Sequence, residues 1–283
     1  MKTDSRKLSA TLFEGTGSNE VLVIASATGV KQSYYQKFAE FISKKNITVI
    51  TFDYKGIGHS LNEPIKELTN NVTDWGKKDL ESVLNYVIKN YPNSKKYFLG
   101  HSMGGQLLGL SKSSVILDKI IFVAAQSGFW KYWNGIDKVK MWANWNIIFP
   151  VMIQLFGYMP TSRISRMEDL PKNVAKQWSN WGREKEYLLS ELPLEETVFE
   201  KLKQEITSFS IEDDIYAPKQ AVEWLESKFC NARIKQVHLL PQDFNSNKIG
   251  HFGIFKDKFK ENIWKLLLNE MRHIDTYEID KIA

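Results

Sequence analysis

Short apolar runs alternate with amphipathic segments over the first half of the chain. The runs are rich in β-branched residues, which is typical of buried parallel strands. The segments between them place apolar residues at helical spacing, which predicts a helix after each strand. The predicted strands are 21–25, 47–52, 96–99 and 120–125, and the predicted helices are 32–45, 73–91 and one that begins near Met103. This order predicts a parallel sheet with helices on both faces.

The alternation stops after the fourth predicted strand and resumes near residue 206. Residues 127–205 contain helical or irregular sequence without a strand pattern. The elements predicted beyond them are strands at 206–211 and 234–240 and helices at 218–229 and 256–272. We therefore predict an α/β core domain, residues 1–126 and 206–283, that is interrupted by a helical cap, residues 127–205.

The composition is that of an ordinary globular protein. Of the 283 residues, 43% are hydrophobic and 25% are charged, and the net charge is +5. The lysines are scattered and form no dense run, so we expect no nucleic-acid partner. The single cysteine, Cys230, excludes an intramolecular disulfide and a zinc site built from cysteines. We expect it to be a buried, unreactive thiol.

No segment of the sequence resembles a secretory signal or a membrane span. The first ten residues lack the apolar stretch that a secretory signal needs. A run of about 18 apolar residues is also missing, because Pro150, Gln154 and Gly157 interrupt the longest candidate. We expect a soluble, cytoplasmic protein with no stable membrane insertion.

A candidate nucleophile, Ser102, lies in the sequence GHSMG at residues 100–104. This G-x-S-x-G pattern follows a predicted strand and begins a predicted helix, which is the setting of a nucleophile elbow. The tight turn needs its glycines, because a side chain on either one would collide with neighbouring backbone. The turn places the hydroxyl at the carboxyl end of the sheet, where parallel α/β folds bind ligands.

A serine nucleophile needs a base, and one of the five histidines is suitably placed. His59 precedes the candidate serine in the chain, and His101 adjoins it but points elsewhere from the same turn. His238 lies inside a predicted strand, and His273 ends the last predicted helix. His251 follows the last strand in a loop with glycines on both sides, as expected for a base in the order Ser, acid, His.

Two adjacent aspartates follow the strand predicted at 206–211. Asp213 or Asp214 could accept the ring N–H of His251 and hold its tautomer. Their side chains point in different directions, so we expect one to orient the base and the other to form a turn.

Acyl transfer also needs N–H donors for the oxyanion. The backbone N–H of Met103, next to the candidate nucleophile, is one expected donor. We expect the other in the small-residue loop 26–29 and nominate Thr28. A glycine-containing turn without a donor is the alternative for this loop.

Five motifs, in order along most of the core, resemble those of the α/β-hydrolase superfamily, in its monoacylglycerol-lipase and serine-aminopeptidase-like branch. They are SATGV at 26–30, DYKGIGHS at 53–60, GHSMGG at 100–105, DDIYAP at 213–218 and GHFG at 250–253. The resemblance implies the α/β-hydrolase fold, a mostly parallel sheet with helices on both faces, plus a helical cap insertion after the strand that follows the nucleophile helix.

The resemblance also implies a role for each site residue. Ser102 matches the nucleophile, His251 the base and Asp214 the acid, because the family's acid commonly lies four residues before a proline. The family often has His-Gly before the oxyanion donor, whereas this chain has Ser-Ala at 26–27. Thr28 is the position that matches the donor.

Six of the nine tryptophans lie in the predicted cap, between Trp130 and Trp181. Large side chains could form the core of this thin helical layer. Some of them are also candidates to line an apolar pocket over Ser102, namely Trp130, Trp133, Trp142 and Trp145. A further interpretation is that residues 146–160 rest on a lipid surface.

The residues and the resemblance together predict a serine hydrolase that needs no metal and no cofactor. Its expected substrate is a small or medium apolar carboxylic ester, cleaved through an acyl-enzyme on Ser102. The alternatives on the same residues are an amidase or peptidase, a thioesterase and an acyltransferase. The alternative from another class is a non-catalytic ligand-binding protein on a hydrolase scaffold.

Overall fold

A computed structural model describes residues 7–17 and 19–272 of the chain. The predictions made for the first six residues and for His273 concern residues outside these ranges. The strands of the described residues are β1 (Ala10–Phe13), β2 (Glu20–Ala25), β3 (Thr48–Phe52), β4 (Lys95–His101), β5 (Lys119–Val123), β6 (Glu205–Ile211) and β7 (Arg233–Leu239). The helices are α1 (Gln36–Ser43), α2 (Val72–Asp74), α3 (Glu81–Asn90), α4 (Met103–Leu108), α5 (Gly135–Ala143), α6 (Phe149–Phe156), α7 (Lys172–Arg183), α8 (Lys219–Glu226), α9 (Gly250–Gly253) and α10 (Ile263–Arg272).

The strands form one seven-stranded sheet in the order β1-β3-β2-β4-β5-β6-β7. All neighbours are parallel except β1, which pairs with β3 in the antiparallel sense. The sheet confirms the predicted mostly parallel α/β fold, and the six predicted strands agree with it within two residues at each end. Because neighbouring parallel strands end at the same edge, the segments that follow β2, β4, β5, β6 and β7 meet there.

Both faces of the sheet are buried, which explains the continuous apolar runs. In β2, Val21 and Val23 pack on the face that carries α3, α4, α8 and the helices between β5 and β6. Leu22 and Ile24 point to the other face, which carries α1 and α10. Alternate side chains of one strand therefore enter two different hydrophobic clusters, so neither set of positions can be polar.

Two elements differ from the predictions for physical reasons. The edge strand β1 was not predicted, because three of its four residues are exposed and give no apolar run. The last helix begins at Ile263 and not at 256, since Asp257–Phe259 forms a separate 3-10 turn. Asn262 then accepts the N–H of Ile263 through its side chain at 2.6 Å.

The segment between β5 and β6 carries α5, α6 and α7. A π-helical turn, Asn144–Ile148, joins α5 to α6 without a break in the helical backbone. Within the described residues, the β-pairing of this segment is a single bridge between Met159 and Leu170. The segment packs onto the rest of the chain, as shown by the bond from the Thr73 N–H to Gln177 Oε1 at 3.0 Å.

The expected burial of Cys230 is wrong, because its side chain is exposed. It lies in the surface turn between α8 and β7, and its Sγ is 3.7 Å from Glu200 Oε1.

Candidate active site

Ser102 occupies a strained turn between the end of β4 and the start of α4. Its φ is 53° and its ψ is −117°, a combination that costs a non-glycine residue on the order of 1–3 kcal/mol. The Ser102 N–H donates to the Val123 carbonyl at 2.9 Å, and its own carbonyl accepts the Gly105 N–H at 3.0 Å. These bonds tie the turn to β5 and to α4. The backbone therefore has the conformation expected of a nucleophile elbow.

Two glycines of the motif are required by close backbone contacts. A Cβ on Gly104 would lie 2.2 Å from the carbonyl oxygen of Ala25, and one on Gly100 would lie 2.6 Å from the Cα of Gly105. Both distances are far below van der Waals contact. The helix can approach β2 and turn back over β4 only because these positions lack side chains.

His251 and Asp214 form a buried hydrogen-bonded pair at the same edge of the sheet. His251 Nδ1 lies 2.7 Å from Asp214 Oδ2, and both side chains are almost completely buried. The other oxygen of Asp214 accepts the backbone N–H groups of Tyr216 and Ala217 at 2.8 and 3.1 Å. Since the carboxylate accepts, Nδ1 of His251 carries a proton, and Nε2 is the nitrogen that bears the lone pair when the ring is neutral.

Asp213 has a different set of partners. Its carboxylate accepts the N–H of Ile249 at 3.1 Å and that of Gly250 at 2.9 Å. These two residues directly precede His251 on α9. Asp213 therefore holds the start of the short helix that carries the imidazole, whereas Asp214 contacts the imidazole itself.

Gln126 lies against the Ser102 hydroxyl and was not predicted as a site residue. Ser102 Oγ lies 3.4 Å from Gln126 Oε1, to which it can donate, and 3.3 Å from Gln126 Nε2, from which it can accept. Gln126 Nε2 also donates to the carbonyl of Tyr216 at 3.2 Å. In the described part of the chain, no hydrogen bond joins Ser102 Oγ to the His251 ring. The sequence feature that could have identified Gln126 is its position just after β5. Because β5 lies next to β4 in the sheet, residues that follow β5 lie near Ser102, which follows β4.

The loop after β2 provides the second candidate oxyanion donor. Thr28 is 4% exposed, and its hydroxyl has no hydrogen-bond partner within the described residues. The N–H of Ala27 donates to the Tyr35 hydroxyl at 3.0 Å. By contrast, the backbone N–H groups of Thr28 and Met103 bond to no described acceptor. An N–H without a partner inside the protein is what an oxyanion donor requires.

The structure places the four candidate pocket tryptophans in different surroundings. Trp133 is buried, and its Nε1 donates to the carbonyl of Ile215, the residue after Asp214, at 2.8 Å. Trp145 is buried among aromatic rings and donates to the Gly128 carbonyl at 2.9 Å. Trp130 is partly buried, with lysine ammonium groups near its ring, and Trp142 is 41% exposed. Of the four, Trp133 is the one tied to the loop that carries the aspartate.

Residues 7–17 and 19–272 contain neither a cluster of metal-ligating side chains nor a helix that could span a membrane. No three His, Cys, Asp or Glu side chains are grouped there so that they could hold a metal ion. No helix within these ranges is both long and apolar enough to cross a membrane.

A family model places the sequence of this chain in a known group of enzymes. Residues 17–176 match the model of the serine aminopeptidase S33 hydrolases. The match spans more than half of the chain and includes the elbow at Ser102, and it ends before Asp214 and His251. The chain belongs to this α/β-hydrolase family. No curated protein matches the sequence.

Solved structures of low sequence identity share the fold of this hydrolase. The hydrolase olei00960 from Oleispira antarctica has a TM-score of 0.62 at 15% identity, covering 94% of this chain and 95% of that one. The esterase EaEST from Exiguobacterium antarcticum has a TM-score of 0.57 at 18% identity, with coverages of 93% and 96%. Est1E from Butyrivibrio proteoclasticus, solved with ferulic acid bound, has a TM-score of 0.57 at 12% identity, with coverages of 95% and 97%. At these identities the likeness shows the fold.

His101 is a second buried imidazole of the hydrolase, next to Ser102. Its side chain is completely buried, and its Nδ1 and Nε2 contact the Tyr35 hydroxyl and the His251 carbonyl. Burial lowers the pKa of His101 well below the usual 6.5, and the neighbouring His251 lowers it further. The folded protein therefore keeps this ring neutral.

We predict that His101 makes the folded hydrolase sensitive to acid. Below pH 6.5 the unfolded chain protonates this histidine while the folded protein does not. The unfolded state then binds more protons, so the free energy of unfolding falls as the pH drops from 6.5 toward the folded-state pKa, by up to about 1.4 kcal/mol per pH unit. Urea denaturation across this range should give a shallower fall for His101→Gln than for the wild type. Equal slopes would contradict the prediction.

Proposed function

We propose that this hydrolase cleaves small or medium apolar carboxylic esters through an acyl-enzyme on Ser102. The observation that carries the proposal is the 2.7 Å bond from His251 Nδ1 to Asp214 Oδ2, at the sheet edge where Ser102 lies. That bond fixes the imidazole tautomer whose Nε2 can take a proton. A base of fixed tautomer and a strained serine at one edge of the sheet are features that acyl transfer requires.

The proposed reaction begins when the Ser102 hydroxyl leaves the Gln126 amide and turns to His251. Ser102 Oγ attacks the ester carbonyl while His251 Nε2 takes its proton, and Asp214 stabilises the resulting imidazolium. The backbone N–H groups of Met103 and Thr28 stabilise the oxyanion. His251 then protonates the leaving alcohol. Water then adds to the acyl carbonyl while His251 takes one of its protons, the bond from the acyl carbon to Ser102 Oγ breaks, and His251 returns that proton to Ser102 Oγ, which releases the acid.

The surroundings of His251 favour an apolar substrate. Its ring makes edge contacts with the rings of Tyr216 and Phe252, with centroids at 5.5 and 4.9 Å. Tyr216 and its neighbour Ile215 are 50% and 61% exposed, so apolar surface is open beside the pair. The names of two proteins that share the fold, the esterase EaEST and Est1E with ferulic acid, agree with ester chemistry.

We also propose that residues 127–205 act as the cap of this site. The bond from Trp133 Nε1 to the Ile215 carbonyl supports this role, because it ties the segment to the loop of Asp214. A cap at this position excludes water and selects substrates by shape. Trp133 is the proposed pocket residue with the strongest support. Trp130, Trp142 and Trp145 stay weaker candidates, since Trp145 packs against Phe149 and Trp178 within the cap.

A non-catalytic binding protein is a weaker explanation of the same geometry. Binding alone gives no reason to hold Ser102 in a conformation that costs on the order of 1–3 kcal/mol. It also gives no reason to bury a carboxylate that contacts only one nitrogen of a histidine and the backbone. Catalysis needs both features.

Reactivity of Ser102 toward acylating reagents tests the proposal. The wild type should be labelled by a fluorophosphonate and should hydrolyse p-nitrophenyl esters of graded acyl length. Ser102→Ala should abolish the labelling and lower kcat by about 10⁴-fold or more. Amides and thioesters with the same acyl groups provide the comparison. A wild type that binds the esters without labelling or turnover, or that prefers the amide or the thioester, would contradict the proposed activity.

Exchange of each aspartate for asparagine tests which carboxylate orients the base. Asp214→Asn should lower kcat by about 10⁴-fold, because an amide cannot hold the required tautomer of His251. Asp213→Asn still offers an oxygen to the N–H groups of Ile249 and Gly250, so its loss should stay within about tenfold, equivalent to about one hydrogen bond. Ester hydrolysis at saturating substrate measures both. Equal losses would refute the assignment.

A further inference from the structure

A buried hydrogen-bond chain outside the proposed triad joins three loops of the site. The Ala27 N–H lies 3.0 Å from the Tyr35 hydroxyl, which lies 2.7 Å from His101 Nδ1. His101 Nε2 lies 3.0 Å from the carbonyl oxygen of His251. The chain therefore runs from the loop at residues 26–29, which we call the oxyanion loop, through the residue before Ser102 to the backbone of the proposed base.

The direction of every hydrogen bond in this chain is determined. The carbonyl of His251 can only accept, so His101 Nε2 carries the proton of the neutral ring. His101 Nδ1 must then accept, and the Tyr35 O–H donates to it. The Tyr35 oxygen accepts the Ala27 N–H in turn. All members of the chain are buried. If one is lost, its neighbours are left without a hydrogen-bond partner, and water cannot take the place of the lost group.

The carbonyl that His101 binds belongs to a helix that is too short to satisfy its own backbone carbonyls. The helix α9 has a single turn, Gly250–Gly253, so its carbonyls lack partners within the helix. His101 satisfies the carbonyl of His251, and the Tyr34 hydroxyl satisfies the next carbonyl, that of Phe252. Asp213 binds the N–H groups at the start of the same turn.

We propose that Tyr35 and His101 are positioning residues that hold the oxyanion loop and α9 in register with Ser102. The inference rests on the proposed function. Tyr35 acts on the loop through Ala27, next to Thr28, and His101 acts on the proposed base through its carbonyl. Neither side chain touches the substrate. Loss of the chain lets Thr28 and His251 shift relative to Ser102, and a shift of about 1 Å at a reacting group can cost about 10²-fold in rate.

The test compares two tyrosines, Tyr97 near the start of β4 and Tyr35 against His101 at its end. Tyr35→Phe removes the hydroxyl and keeps the ring that packs on Phe255. The matched control is Tyr97→Phe at the start of β4, which removes a hydroxyl that donates to Glu20 at 2.6 Å. Both changes delete one hydroxyl from a mostly buried tyrosine that contacts the sheet. Only the first breaks the chain.

We expect Tyr35→Phe to label with a fluorophosphonate about 10- to 100-fold more slowly than the wild type and to lose kcat with little change in KM. Tyr97→Phe should lower the Tm to a similar extent and keep the labelling rate. Equal labelling rates of the two variants would overturn the proposal, as would a loss confined to KM. A wild type that does not label at all would instead overturn the proposed function.

Substitutions of His101 give an independent second measurement. His101→Gln can still donate to the His251 carbonyl and accept from Tyr35, whereas His101→Leu can do neither. Among folded variants, His101→Gln should retain at least ten times the labelling rate of His101→Leu, a ratio that corresponds to about one hydrogen bond. Equal rates would mean that the histidine only fills space, and they would overturn its proposed role.

Discussion

The turn at Ser102 depends on a close approach between the backbones of α4 and β2. Gly104 lies so near the carbonyl of Ala25 that a methyl group on its Cα would overlap the oxygen. Between β4 and α4, Ser102 has a φ/ψ combination that residues other than glycine avoid. The turn places the hydroxyl at the edge where the neighbouring parallel strands end. Every other feature of the site is placed relative to that hydroxyl.

The loops around the turn are held by polar contacts and not by their own secondary structure. Asp214 fixes the ring of His251, Asp213 fixes the start of α9, and His101 binds one of its carbonyls. A helix of one turn needs such external partners for its N–H and carbonyl groups. The hydrolase thus combines a rigid sheet, which sets the position of Ser102, with a short segment that buried hydrogen bonds hold in place.

The sequence predicted the strands and the nucleophile elbow, because both depend on residues that are close together in the chain. The strands were visible because both faces of the sheet bury side chains, and the elbow was visible because its glycines are close together in sequence. The partners of Asp213 could not be predicted from the residues alone, because Ile249 and Gly250 lie in a distant part of the chain. Gln126 and Tyr35 belong to no motif. Their contacts with Ser102 and His101 arise from the order of strands and from packing across the sheet edge.

The central claim is that Ser102, His251 and the amides of Met103 and Thr28 act on one acyl group. A crystal structure of the fluorophosphonate-inactivated protein tests it most directly. The account predicts phosphorus bonded to Ser102 Oγ, with a phosphoryl oxygen within hydrogen-bond distance, about 2.7–3.1 Å, of both amides. His251 Nε2 should then lie near the leaving-group side. An adduct on another residue, or a phosphoryl oxygen that points away from both amides, would contradict the account.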